Sequence, residues 1–88
     1  MLHKVLEIKN KDGLRARPAA MFVLVASNYS SQILIEKGNK MINAKSIMGV
    51  LSLGVVSGES IHLVVNGEDE KEAVTALVGI VENDFEEV

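Results

Sequence analysis

The sequence predicts an α+β fold, an open-faced β-sandwich in which a four-stranded antiparallel sheet carries three helices on one face. Three observations lead there. Four short segments alternate apolar with polar residues, as strands buried on one side do. Three further segments carry apolar residues at helical spacing. The order that results is β-α-β-β-α-β-α, with no repeat, linker or low-complexity tract to split it. Strands with one wet face leave helices only the other, so all three are expected to pack on the same side.

Residues 2–9 open the chain as a half-buried strand, with Lys4, Leu6 and Ile8 on one side and His3, Val5, Glu7 and Lys9 on the other. Asn10 to Gly13 break it. The alanine-rich stretch from Leu14 to Asn28 is predicted helical, with Pro18 in the first turn, where a missing N–H does no harm. Leu14 to Ala16 offer this helix no Ser, Thr, Asp or Asn cap, and Arg15 and Arg17 stand beside its open end. Such a start reads either as an anion site or as two solvated arginines near a water-capped helix. In the helix, Ala19, Phe22, Val23 and Ala26 share a face and suffice for the core, which leaves Arg17, Ala20, Met21 and Leu24 on a neighbouring stripe.

Gln32 to Lys37 form a second strand, and Gly38-Asn39 suits a two-residue hairpin leading into a third, Lys40 to Asn43. Ser46 then precedes a short apolar run as an N-cap, its hydroxyl placed to accept from a free N–H of the first turn. A phosphorylated serine would suit the same position, and Lys45 adds positive charge. Ile47, Met48 and Leu51 recur at helical spacing while Val50, Leu53 and Val55 form a second apolar set, more than one buried face needs. The segment is therefore either sunk in the core or shows apolar surface to a partner. If the two helix starts are neighbours, the stripe of the first helix joins Ile47, Met48 and Leu51 in one exposed patch; the competing reading buries them.

Ser60 to Asn66 give a fourth strand with Ile61, Leu63 and Val65 inward. Asp69 and Glu72 match a capping box for a last helix whose stripe is Val74, Leu77, Val78, Val81 and Phe85. The acidic tail, Glu82 to Glu87, reads as a frayed helix end.

Composition narrows the function. At 88 residues the chain is expected to be one domain with a small core, and its 48% hydrophobic content lies in aliphatic residues, with one Tyr, two Phe and no Trp. A net charge of −3 argues against a nucleic-acid partner, as does the lack of aromatic stacking platforms. Without Cys there is no disulfide, thiolate nucleophile or thiolate metal site. No run reaches membrane-spanning length and the N-terminus is no signal peptide, so a soluble cytoplasmic protein is expected. The carboxylates are scattered, no His/Asp/Glu cluster has metal spacing, and no glycine-rich nucleotide loop occurs. No metal, cofactor or catalysis of its own is therefore expected.

Two motifs support a resemblance that covers essentially the whole chain. Gly13-Leu-Arg-Ala-Arg-Pro-Ala-Ala resembles the active-site signature of HPr, the histidine-containing phosphocarrier family of the sugar phosphotransferase system. Asn43-Ala-Lys-Ser-Ile-Met-Gly-Val resembles its regulatory serine segment. In the family, the residue after the Leu or Ile of the first motif is the histidine that takes a phosphoryl group from enzyme I. Here it is Arg15, whose guanidinium stays protonated and offers no free lone pair. His3 and His62 lie in predicted strands and read as ordinary strand residues.

The chain is thus similar to the paralogous branch of Gram-positive bacteria that lacks the histidine and keeps the serine, although that branch usually has glutamine where Arg15 stands. The resemblance implies phosphorylation of Ser46 by HPr kinase/phosphorylase, and then action as corepressor of catabolite control protein A. Two other readings are a phosphocarrier working through another residue, and a small-molecule-sensing regulatory domain of similar strand order.

Overall fold

The structure is a computed structural model, and residues 1–86 are described; Glu87, the end of the acidic tail, lies outside them with Val88. The elements are β1 (Leu2–Glu7), α1 (Ala16–Ser27), β2 (Gln32–Lys37), β3 (Lys40–Asn43), α2 (Ile47–Ser52), β4 (Ser60–Asn66) and α3 (Glu70–Glu82). The sheet order is β1-β4-β2-β3, and every adjacent pair is antiparallel. The architecture is the one the alternation predicted. β2 and β3 are joined through Gly38 at φ +60, the positive angle that a two-residue hairpin requires at its first position.

The core lies between sheet and helices. Leu6, Ile8, Ile33, Ile35, Ile61, Leu63 and Val65 come from the strands and β1's continuation. Against them pack Ala19, Phe22 and Ala26 of α1, Val50 of α2, and Ala73, Leu77 and Val81 of α3. Each fully buried large side chain is worth roughly 1.5–3 kcal/mol of hydrophobic stabilisation. α1 packs against both α2 and α3.

Four details depart from expectation. β1 ends at Glu7, but Ile8 stays buried because its N–H bonds Glu59 O at 2.8 Å and its carbonyl accepts from Gly58 N at 2.7 Å. The buried face of α3 runs through Ala73, Leu77 and Val81, with Val74 and Val78 half-buried, so the helix is rotated by a residue from the predicted stripe. Phe85 is buried but not helical: after Glu82 the chain turns back through left-handed Asp84 (φ +52) and Phe85 (φ +60), which returns the ring to the core.

The fourth departure is the cap of α3. Asp69 forms no capping box with Glu72. Its carboxylate instead accepts from Ser30 N at 2.8 Å, Ser31 N at 3.0 Å and the Ser31 hydroxyl. The hydroxyl first and then the Ser30 N–H hold its pKa down to about 2. Glu70 reaches back in its place and accepts from Gly67 N at 3.1 Å.

Candidate functional site: the starts of α1 and α2

The start of α1 is held from outside the helix. Asn10 donates through Nδ2 to Gly13 O at 2.8 Å, and Leu14, fully buried, donates its N–H to Val55 O at 3.0 Å. Gly13 sits at φ +66 against the backbone of Val55 and Val56, where a Cβ would overlap the Val55 carbonyl oxygen. These bonds bring the chain into α1 with Arg15 as N-cap in an extended conformation (φ −135, ψ 164), its side chain making no cap bond, as the missing cap residue predicted. Ala16 follows at φ +51, an angle unusual for a residue with a Cβ. Pro18 is buried within the first turn.

Arg15 and Arg17 are both exposed. Arg17 also lines a cleft of about 490 Å³ together with Lys9, Lys11, Asp84 and Phe85, while Arg15 stands outside that lining. The lysines and the returning tail were not legible as neighbours of α1. Only the left-handed turn after α3 brings the tail there.

The start of α2 is built differently. Asn43 forms the turn before it, accepting Lys45 N at 2.9 Å through Oδ1 and Ser46 N at 3.0 Å through its carbonyl. Ser46, extended at φ −108 and ψ 116, accepts from Gly49 N at 3.1 Å through Oγ. It is the N-cap the sequence indicated, and it is half-buried. The Lys45 ammonium is engaged elsewhere: it donates to Tyr29 O, just past the end of α1, at 2.6 Å. At the other end of α2, Lys40 Nζ bonds Ser52 O at 3.1 Å and Lys37 Nζ bonds Leu53 O at 3.2 Å, closing carbonyls a helix end leaves open.

These contacts set the relation between the helices. The start of α1 is bonded to the segment after α2, and the start of α2 to the segment after α1, so the two starts lie at opposite ends of the pair. Between these two contacts runs α1 itself, twelve residues and about 18 Å long. These contacts do not make the two helix starts neighbours.

The six-residue α2 is divided between core and solvent. Val50 is fully buried, as are Leu53 and Val55 beyond it, while Met48 is 74% exposed and Ile47 and Leu51 are exposed. On α1, Leu24 is 68% exposed and Ala20 is exposed, whereas Met21 is half-buried against the core. The second apolar set of α2 therefore belongs to the core, and the first faces out.

The chain matches the family described as PTS HPr component phosphorylation site over residues 2–83. It belongs to the HPr family. Among family members, the HPr-like protein Crh of Halalkalibacterium halodurans is 50% identical over 84 residues, covering 96% of this chain and all of that one. Crh of Bacillus subtilis is 44% identical over 84 residues, covering 96% and 99% of the two. The crystal structure of HPr from Thermoanaerobacter tengcongensis superposes with a TM-score of 0.95 at 56% identity, covering both chains fully. The fold, strand order and full-length coverage are thus those of HPr proteins. No described helix is long and apolar enough to cross a membrane.

Proposed function

We propose that this protein is a regulator of catabolite repression, switched by phosphorylation of Ser46, and that it is not a phosphocarrier. The observation that carries the reading is the contrast between the two motif positions. Where the HPr resemblance calls for a phosphoryl-accepting histidine the chain has Arg15, which holds no nucleophile, and where it calls for the regulatory serine the chain keeps Ser46 at the N-cap of α2. The relatives named Crh support it; one solved structure is described as Crh, the Bacillus subtilis catabolite repression HPr.

In this reading HPr kinase/phosphorylase transfers the γ-phosphoryl group of ATP to Ser46 Oγ, and the phosphoprotein binds catabolite control protein A as corepressor. The docking surface is the outer side of α1 and α2: Ala20, Leu24, Ile47, Met48 and Leu51 as the apolar part, with Arg15 and Arg17 at one end and Ser46 at the other. Met21 contributes only its exposed fraction, and Lys45 mainly holds Tyr29. Met48 suits such a surface because its unbranched side chain adapts to a partner. Phosphate adds about −1.5 to −2 charge and three acceptor oxygens, enough for a bidentate pair with a basic side chain of the repressor. The apolar surface exists beforehand, so the switch is one of charge and needs no refolding. The protein works in the cytoplasm, as a single domain and not as an enzyme.

A phosphocarrier reading draws on the relative named phosphocarrier protein HPr of Treponema pallidum, 40% identical over 87 residues. His3 and His62 do not serve it, because they stand on the sheet face opposite the helices. One experiment separates the readings. Incubation with HPr kinase/phosphorylase and ATP is expected to place one acid-stable phosphate on Ser46, and the product to bind the repressor far more tightly than the unmodified protein. Incubation with enzyme I and phosphoenolpyruvate is expected to give no acid-labile phosphate. Full labelling of Ser46→Ala by the kinase, or transfer from enzyme I, overturns the proposal.

A further inference from the structure

The open face of the sheet holds a line of three polar side chains that no helix covers. Glu36 on β2 lies directly opposite His62 on β4, and His3 on β1 lies one step along the diagonal, since Val5 is the residue opposite His62. Glu36 Oε1 is 3.1 Å from His62 Nδ1, and His62 Nε2 is 3.0 Å from His3 Nδ1. The carboxylate draws the ring proton of His62 to Nδ1, which leaves the Nε2 lone pair facing His3. This is the arrangement found behind metal-ligating histidines, where one ring nitrogen donates to a carboxylate and the other binds the ion.

The spacing fits a metal as well as a hydrogen bond. Two imidazole nitrogens bound to one ion at about 2.0–2.1 Å each, 90 to 110° apart, are about 2.8–3.4 Å from one another. The observed 3.0 Å lies inside that span. The two rings are tilted by 39° with centroids 5.1 Å apart, so they are not stacked face to face. His3 is exposed at the sheet edge and free to adjust by a small side-chain rotation. To bind, neutral His3 takes the tautomer with its proton on Nε2, exchanged through water, and both facing lone pairs go to the ion with no net proton release.

We propose that His3 Nδ1 and His62 Nε2 form a chelate for a first-row divalent cation that favours imidazole, of which Zn²⁺ is the representative, with Glu36 as positioning residue. Among the described residues no three or more His, Cys, Asp or Glu side chains form a metal group, so the chelate is an open one and water completes the coordination. Oxygen-preferring Mg²⁺ and Ca²⁺ do not suit it. The bound ion ties edge strand β1 to β4 on the side away from Ser46, which makes the site independent of the proposed phosphorylation.

The test uses the full chain and ZnCl₂. Long-range ¹H–¹⁵N spectra of the imidazoles are expected to show His3 Nδ1 and His62 Nε2 shifting together at one equivalent of Zn²⁺, reversed by chelator and absent with Mg²⁺. By calorimetry, His62→Gln is expected to weaken binding at least ~tenfold and Glu36→Gln by about tenfold, the low end for loss of a supporting carboxylate. Both substitutions are on the outer sheet face, and backbone amide spectra check that the fold persists. Two outcomes overturn the proposal: no imidazole shift in the wild type, or unchanged affinity in His62→Gln, which would put the ion somewhere other than between the two rings.

Discussion

The first turn of α1 begins from a residue whose side chain makes no cap bond, and the first turn of α2 from a residue whose side chain makes one. Arg15 makes no cap bond and Ala16 takes a left-handed angle, while the Ser46 hydroxyl accepts from Gly49 N at 3.1 Å. What holds α1 in place is the backbone before it, through Gly13 and Leu14 against Val55. The difference teaches where chemistry can vary without disturbing the fold. Position 15 carries little structural duty, so its side chain is free to be a histidine, a glutamine or an arginine. Position 46 has a structural duty and a proposed regulatory one at once.

The strongest way to break this contrast is to disturb the backbone support of α1. Gly13→Ala puts a Cβ onto the Val55 carbonyl at a positive φ and is expected to destabilise the protein by about 3 kcal/mol, read as a lower urea midpoint with unchanged slope. Val50→Ala removes a fully buried side chain beneath α2 and is expected to lose about 2 kcal/mol in the same assay. Ser46→Ala deletes the cap, with an expected loss of about 1 kcal/mol beside the complete loss of kinase labelling.

The third helix start sharpens the comparison through pH. The Asp69 carboxyl is held down to about 2 from its usual 3.8 by Ser31 and Ser30, so its contribution is fully present above pH 3.8 and is lost as pH falls through 2. Urea titrations at pH 6, 4 and 2 are expected to show Asp69→Asn less stable at pH 6 and losing less stability than the wild type between pH 4 and 2.

The smallest effects are expected on the outer surface. Arg15→Ala and Met48→Ala each change folding stability by less than ~0.5 kcal/mol. Met48→Ala nonetheless weakens repressor binding by the Ser46-phosphorylated protein, measured by calorimetry. A stability loss of the Val50→Ala size at Met48, with unchanged affinity, would remove Met48 from the docking surface.

Much of this was legible before any coordinates. The element order, the inward residues of β4, the cap at Ser46, the missing cap at Arg15 and the two apolar sets of α2 all follow from interactions within a few residues along the chain. A helix or strand repeats over two to four positions, and a cap acts over three, so such features leave a local pattern. Which set of α2 faced inward was not local, since the short segment was apolar on both sides and only α1 and the sheet chose between them.

The tertiary structure alone decided the rest. Asp69 reads as a capping-box residue in sequence but binds Ser30 and Ser31, 39 and 38 residues away. Lys45 stands beside Ser46 in sequence but spans 16 residues to Tyr29 O. His3 and His62, 59 residues apart, meet because β1 pairs with β4 in one register out of several that would bury the same alternating residues. Alternation settles which side of a strand is buried, but shifting a pairing by two residues leaves that side unchanged and moves every cross-strand neighbour. The choice of register, and with it these side-chain pairs, rests on the whole core packing at once.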